Sequence, residues 1–302
     1  MDGFANRKKG FYGVEGVIYL EGEELKRFQH ELLEIALDVI DVCDDCGIFY
    51  TLSGGTVLGS VRHKGFIPWD DDIDLNMPRK DFERFKKEFS QKLGEKYILT
   101  CPEYGKGHGL SVAQVKKKGT VYRSYNELGK ENAGICIDIF VLENVPDNVM
   151  LRQMHGALCL AVGYCLSARF IFSERKLLEP FMKKSESIKK MFFKKILFGF
   201  LVSFLSVDQW SKLVARVYSL CKEFDSQYVA IPSGRKHYFG EMYLRKDVCK
   251  ARKGLFCKEE LNLPYGAEAY LTKLYGPTYM QIPPEGDRER HPIFEIQYTC
   301  SV

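Results

Sequence analysis

The stretch DIDLNM, which begins at Asp72, constrains the fold of this chain more than any other segment. Asp72 and Asp74 alternate with Ile73, Leu75 and Met77, a pattern that is typical of a β-strand with one buried face. Such a strand needs sheet neighbours and an apolar layer behind it. It also holds two carboxylates side by side on the other face, where they repel each other unless a cation lies between them.

The segments around this strand alternate between helical and extended patterns. An amphipathic helix is predicted over 22–45, a strand at GIFYTLS, a short helix at TVLGSVR and a second amphipathic helix at RKDFERFKKEFSQKL. Strands and glycine-rich turns follow over 96–145, and residues 150–223 are mostly helical in pattern. We therefore predict a mixed α/β fold of the α+β type with an added helical region.

The length of 302 residues suits about two domains. We expect a catalytic core over 1–147, a helical region over 148–250, and a C-terminal segment over 251–302 that packs back on the core. The net charge of +4 is too small to indicate a nucleic-acid partner. Ten cysteines without paired spacing and an N-terminus without an apolar run favour a cytoplasmic location.

Asp70, Asp72 and Asp74 match the first three ligand positions of a calcium-binding EF-hand loop. That loop needs glycine at its sixth position and glutamate at its twelfth, where this chain has Leu75 and Asp81. A solvated acidic loop is a second alternative, but it does not explain the alternation with buried residues. The third alternative is a two-metal site for phosphoryl transfer, in which neighbouring carboxylates share divalent cations.

Two further features favour the two-metal alternative. Asp138 is the only charged residue in the apolar strand ICIDIFV, and a lone buried carboxylate is costly unless it has a partner such as a metal ion. The glycines Gly54 and Gly55 end one strand and open a helix, which lets the backbone approach an anion and direct N–H groups toward it.

These segments resemble a known family. YTLSGGTVLGSVRHKGFIPWDDDIDLNMPRKDFERF resembles the signature of the LicD family, GICIDIFVLENVP resembles its second block, and YLTKLYGPTYMQIPPEGDRERHP resembles its closing motif. The resemblance implies a nucleotidyltransferase-like fold related to fukutin-like proteins. It also implies an enzyme that transfers a phospho-alcohol from a CDP-activated donor to a sugar hydroxyl of a cell-surface glycan precursor, with release of CMP.

Carried onto this sequence, the resemblance implies that Asp72 and Asp74 hold Mg²⁺ (or Mn²⁺), with Asp138 as the third carboxylate and Asp70 as a further ligand. All but Asp70 are expected to be catalytic. The residues expected at the donor phosphates are Ser53, Gly54, Gly55, Thr56, Arg62 and Lys116. The basic residues of the closing motif, Arg288, Arg290 and His291, are also expected to meet phosphate.

The sequence leaves the identity of the transferred alcohol open. Phosphocholine from CDP-choline is the best-known case in the family, phosphoribitol and phosphoglycerol are alternatives, and nucleotidyl transfer from ATP is a further one. A bacterial lipopolysaccharide, teichoic acid or capsule precursor would be the acceptor. A quaternary ammonium group would need aromatic faces, and the aromatic residues near the motifs are Phe66, Trp69, Tyr104, Tyr122 and Tyr125.

The middle of the chain combines apolar runs with positive charge. ALCLAVGYCLSA and ILFGFLVSFLSV are uncharged runs of twelve residues, too short to span a bilayer. Between Ser173 and Lys195 the chain has eight Lys or Arg and three Glu. One interpretation is a peripheral membrane contact through 150–210 at the inner face of the membrane, where a lipid-linked acceptor would be met; the other is a helical subdomain with an apolar core.

Overall fold

The computed structural model describes residues 17–104, 106–125, 127–130, 132–182 and 186–298. Its strands are β1 (Thr51–Leu52), β2 (Asp74–Pro78), β3 (Tyr97–Thr100), β4 (Ala113–Lys117), β5 (Val121–Arg123), β6 (Cys136–Val145), β7 (Tyr228–Ala230), β8 (Met242–Leu244), β9 (Ala251–Phe256), β10 (Glu259–Pro264) and β11 (Glu295–Gln297). Its helices are α1 (Gly22–Cys46), α2 (Gly54–His63), α3 (Arg79–Lys92), α4 (Val149–Ser173), α5 (Arg175–Met182), α6 (Glu186–Leu201), α7 (Val207–Tyr218), α8 (His237–Gly240), α9 (Arg245–Val248) and α10 (Ala267–Tyr275).

Seven strands form one mixed sheet in the order β1-β2-β6-β4-β3, with β7 beside β6 and β8 beside β7. Strands β2 and β6 run parallel, and the other pairs in this sheet are antiparallel. Strand β6 is ten residues long, and its last three residues pair with β7 after its first residues pair with β4. The predicted α+β class is confirmed.

Helix α3 packs against β2 and β6, and helix α1 packs against β6 and α3. The predicted helix over 22–45 is confirmed, since α1 ends at Cys46 and Gly47 adopts the left-handed conformation that commonly ends a helix. Leu25, Phe28 and Leu32 recur at helical spacing on the face that is buried in the main core. The apolar periodicity of the sequence thus sets which side of α1 covers the sheet.

Strand β2 and the residues before it have the two-faced character that the sequence predicts. The side chains of Ile73, Leu75 and Met77 are at most 1% exposed, whereas Asp72 and Asp74 are half-buried. The buried side belongs to the main core. The carboxylates therefore stay on the open side of the strand.

Helices α4, α6 and α7 pack together around a second core, which includes Val162, Val214 and Tyr238. The chain returns to the main sheet at β7. Within the described ranges, α4 is the one helix with the length and apolar composition to cross a membrane, and 33% of its most apolar stretch is buried inside the protein.

The C-terminal residues surround the end of the sheet where the acidic residues lie. The β9–β10 hairpin packs beside α2, where Ser60 donates a hydrogen bond to the carbonyl of Leu255. Helix α10 also packs against α2. After Gly276 the chain contributes to the wall of the adjoining cavity and then forms β11, which pairs with β5.

Candidate active site

Three predicted carboxylates share one end of the sheet because of the pairing between β2 and β6. Asp74 and Asp138 are register partners on these parallel strands, and Asp72 immediately precedes β2. The backbone N–H of Asp138 donates to the carbonyl of Ile73 at 3.1 Å, which extends the pairing to the start of the acidic segment. Two strands that are far apart in sequence therefore present their carboxylates together.

Burial and mutual repulsion disfavour the ionised form of these carboxylates. Burial, the largest cause, raises the pKa of Asp72 to about 6. Burial, followed by the charges of nearby aspartates, raises the pKa of Asp70 and Asp74 well above the ordinary value. The pKa of Asp138 is also raised by burial, although a hydrogen bond from Gln114 opposes the increase. A cation among them would relieve this cost.

The donor chemistry fits a divalent cation, since carboxylate oxygens are the ligands that Mg²⁺ and Mn²⁺ prefer. Asp72, Asp74 and Asp138 would hold it, with Asp70 beside them. In the part of the chain that the structure describes, no three His, Cys, Asp or Glu side chains form a group that could hold a metal ion as they stand. The metal therefore stays a prediction.

The glycine pair lies directly against two of the carboxylates. A Cβ atom on Gly54 would lie 2.9 Å from Asp74 Oδ2, and one on Gly55 would lie 2.9 Å from Asp70 Oδ2. Gly54 also has a φ of +47°, a conformation that other residues rarely adopt. The two glycines thus leave room for the carboxylates, a steric role that adds to the predicted approach to an anion.

Tyr270 of α10 holds the start of α2 in place. Its hydroxyl accepts a hydrogen bond from the N–H of Gly54 at 2.9 Å and lies 3.1 Å from Ser53 Oγ. Thr56 Oγ1 accepts from the N–H of Asp74 at 2.9 Å, which ties α2 to β2. The sequence reasoning missed Tyr270, and the only available signal was its position in the helical start of the closing motif.

A cavity of about 570 Å³ opens above the carboxylates. The predicted site residues that line it are Ser53, Gly54, Gly55, Arg62, Asp70, Asp72 and Asp74. Asp138, Thr56 and Lys116 are not part of this wall. The ammonium group of Lys116 is 2.8 Å from Glu127 in a buried ion pair, so the predicted contact between Lys116 and a donor phosphate has no support in this arrangement.

Two basic residues face the acidic cluster. Arg62 lines the cavity, and its guanidinium donates to the carbonyls of Tyr279 and Gln281 at 3.0 and 3.1 Å. His291 also lines the cavity, and its Nδ1 lies 2.6 Å from Asp71 Oδ1. This hydrogen bond is the main cause that raises the pKa of His291 to about 10, so the imidazole is cationic at neutral pH.

The other two basic residues of the closing motif lie elsewhere. The guanidinium of Arg288 stacks 4.3 Å above the ring of Trp69, and Arg290 pairs with Glu21 at 2.6 Å. His291 is the member of this group that lines the cavity. The predicted phosphate contact therefore keeps geometric support only at His291.

Only one of the five aromatic candidates, Trp69, lines the cavity, where it is joined by Tyr275 and Tyr279 from the C-terminal part of the chain. Tyr122 instead stacks on Phe28. Sequence reasoning also missed the acidic residues Glu241, Asp287 and Glu289 of the wall. Asp287 and Glu289 belong to the closing motif, in which only the basic residues were singled out, whereas Glu241 lies in a segment without an acidic motif.

Residues 47–157 match the LicD family, described as "LicD/FKTN/FKRP, nucleotidyltransferase domain". Over 273 residues the chain is 26% identical to the lipopolysaccharide cholinephosphotransferase LicD of Haemophilus influenzae, a match that covers 86% of this chain and 94% of that relative. It is 44% identical over 50 residues to the ribitol 5-phosphate transferase FKRP of Homo sapiens, which covers 17% of this chain and 10% of that protein. The resemblance to LicD and fukutin-like proteins is confirmed.

Proposed function

Since residues 47–157 of this chain form a LicD-family domain, we propose that the protein transfers phosphocholine from CDP-choline to a sugar hydroxyl of a cell-surface glycan precursor and releases CMP. The observation that carries the proposal is the convergence of the glycine pair and the acidic strand at one cavity. The volume of about 570 Å³ lies within the range of small-molecule sites.

The choice of choline rests on the relative in Haemophilus influenzae, which matches over 94% of its length. The aromatic rings of Trp69, Tyr275 and Tyr279 and the carboxylate of Asp287 in the cavity wall suit a quaternary ammonium group. Glu289 in the same wall is paired with Arg235 at 2.6 Å. Phosphoribitol from CDP-ribitol is the second candidate, favoured by the match of 50 residues to the ribitol 5-phosphate transferase.

Different residues of the chain have different roles in the proposed reaction. The acceptor hydroxyl attacks the phosphorus atom that bears the choline, and the bond from that phosphorus to the CMP oxygen breaks. The hydroxyl proton passes to Asp138, the half-buried register partner of Asp74, and Asp74 lines the cavity. The raised pKa of Asp138 makes it a stronger base than an exposed carboxylate. Arg62 and His291 provide positive charge toward the phosphates.

A divalent metal on Asp72 and Asp74, when bound, would supply charge neutralisation for the phosphates. The backbone at Asp74 is anchored by the hydrogen bond from its N–H to Thr56 Oγ1. Asp70 is fixed by a hydrogen bond from its N–H to the carbonyl of Ile67 at 2.9 Å. The protein thus contributes positioning, which is most of what phosphoryl transfer requires.

The test is a donor panel with Mg²⁺ and purified acceptor glycans, in which CMP release and the mass of the glycan are both measured. CDP-choline, CDP-ribitol, CDP-glycerol and ATP are compared, and an Asp74→Asn variant is the control. CMP release with a gain of phosphocholine mass on the glycan is expected. Transfer only from CDP-ribitol or CDP-glycerol would replace the choline assignment, and AMP transfer from ATP would overturn the phospho-alcohol proposal.

A further inference from the structure

The outer face of α6 combines exposed apolar and basic side chains. At 100° per residue, six of its exposed positions fall within an arc of about 120°, and the exposed Lys189 and Met191 lie on the two sides of that arc. The six positions are Lys190, Phe193, Lys194, Leu197, Phe200 and Leu201, and Phe204 follows just past the helix end. Phe193, Phe200 and Phe204 are 66%, 60% and 72% exposed. Large apolar groups rarely cluster on a soluble surface unless they bind something.

The opposite face of α6 is fixed against α4. A Cβ on Gly199 would lie 2.2 Å from the carbonyl oxygen of Ala168, so the two helices touch through their backbones. The ammonium group of Lys195 donates to Ser167 Oγ at 2.9 Å. The close backbone contact leaves no room for α6 to rotate about its own axis. Its apolar outer face therefore cannot turn toward α4 and become buried.

Positive charge surrounds the apolar face. Lys190 and Lys194 are exposed next to Phe193 and Leu197. At the adjoining end of α4, the guanidinium of Arg175 lies 4.3 Å from the centre of the Phe172 ring. That ring is 5.9 Å from the ring of Phe200. Long basic side chains around apolar ones are typical of a surface that lies in the headgroup region of an anionic bilayer.

We propose that this face, defined by the α6 residues above with Phe172 and Arg175, rests on the surface of a bilayer that contains anionic phospholipid. The proposal goes beyond the transfer reaction and adds the place where a lipid-linked acceptor would be met. It needs no donor or acceptor to be tested, so it can fail or succeed independently of the proposed function.

The geometry favours a helix that lies on the surface over one that spans the membrane. Helix α6 has 16 residues, fewer than the roughly 20 that a span requires. Helix α4 is long enough, but its inner side is committed to the protein: His155 is hydrogen-bonded to the carbonyl of Val217 at 2.9 Å and contacts Tyr238. The second core would be lost if α4 were inserted into lipid.

The experiment is co-sedimentation of the full chain with vesicles of phosphatidylcholine, alone or mixed with phosphatidylglycerol. Three double variants are compared with the unmodified protein: Phe193→Gln with Phe200→Gln, Lys190→Gln with Lys194→Gln, and the control Lys246→Gln with Lys250→Gln, which removes two exposed lysines elsewhere. A further control, Leu255→Gln with Tyr265→Gln, removes two exposed apolar side chains of the β9–β10 region. Circular dichroism and size-exclusion chromatography check folding and assembly.

We expect the unmodified protein to bind only the vesicles that contain phosphatidylglycerol. Its affinity should fall about fivefold for each lysine removed and at least tenfold in the double phenylalanine variant. Both control variants should bind like the unmodified protein. Equal binding to neutral vesicles, or wild-type binding by the α6 variants, would overturn the proposal. The proposal would also be overturned if the protein binds no vesicles and forms a dimer that the phenylalanine substitutions dissociate. The face would then be a contact between two protein chains.

Discussion

Asp74 and Asp138 lie opposite each other on the parallel strands β2 and β6, 64 positions apart in the chain and in direct register in the sheet. This pairing brings two half-buried carboxylates side by side, and one of them, Asp74, lines the cavity. The two charges repel each other, and the charge of Asp138 contributes to the raised pKa of both Asp72 and Asp74. The divalent cation proposed for this site would relieve this repulsion.

Asp74→Asn should abolish transfer while leaving the fold intact. The amide keeps the shape of the carboxylate but removes its charge, so we expect a loss of at least about 100-fold in kcat. The metal-free variant should be as stable as the unmodified protein, or more stable, because repulsion with Asp72 and Asp138 disappears. Steady-state kinetics and thermal denaturation check both parts, and a near-normal rate would contradict the assignment of Asp74.

Gly55→Ala should impair the site through the Asp70 carboxylate. The new methyl group would lie 2.9 Å from Asp70 Oδ2, so the carboxylate must move. We expect a loss of activity of about tenfold or more, with weaker Mg²⁺ dependence, because ligand displacement of this size weakens metal binding. Gly286→Ala is the matched control, since a Cβ there meets nothing within 4 Å. Equal activity of the two variants would exclude the steric role.

Gln114→Met should move the pH–rate profile. Gln114 Nε2 donates to Asp138 Oδ1 at 2.9 Å and lowers the pKa of that carboxyl. Loss of the donor should raise this pKa, so the acidic limb of the kcat profile should shift to higher pH. Gln91→Met, an exposed substitution on α3, is the control. A lower rate without a shifted limb would indicate a packing effect instead of an effect on Asp138.

Tyr270→Phe should destabilise the glycine turn. The hydroxyl of Tyr270 is the acceptor for the N–H of Gly54, and its loss leaves that donor without its partner. A cost of about 1–3 kcal/mol in the free energy of unfolding is expected, together with reduced activity. Chemical denaturation measures the cost, and Tyr265→Phe, at a tyrosine that is 61% exposed, should change neither quantity. If both variants unfold alike, the hydrogen bond contributes little.

His291→Gln should remove a pH dependence of stability. The hydrogen bond with Asp71 raises the pKa of His291 from 6.5 to about 10, so the folded state binds an extra proton between these pH values. The stabilisation is complete below pH 6.5 and is lost as pH rises toward 10. In EDTA, the free energy of unfolding should fall across this range in the unmodified protein and fall less in the variant. Parallel pH curves would show that the pair is not formed.

The acidic strand, the glycine turn and the lone aspartate of β6 were all readable from the sequence. Their spacing reflects local rules, because a strand alternates its faces and glycine permits a close backbone approach. The amphipathic pattern likewise predicted α1 to within one residue of its observed end. The sequence by itself therefore determined the mixed fold class and the acidic half of the candidate site.

Only the tertiary structure decided which residues, distant in the sequence, join the aspartates at the candidate site. It paired Lys116 with Glu127 away from the cavity, although the sequence suggested a phosphate contact. It also brought Tyr270 to Gly54 and His291 to Asp71 from more than 200 positions away. Local periodicity has no information about such contacts, because they depend on where the C-terminal segment packs, and many side chains compete for each buried partner.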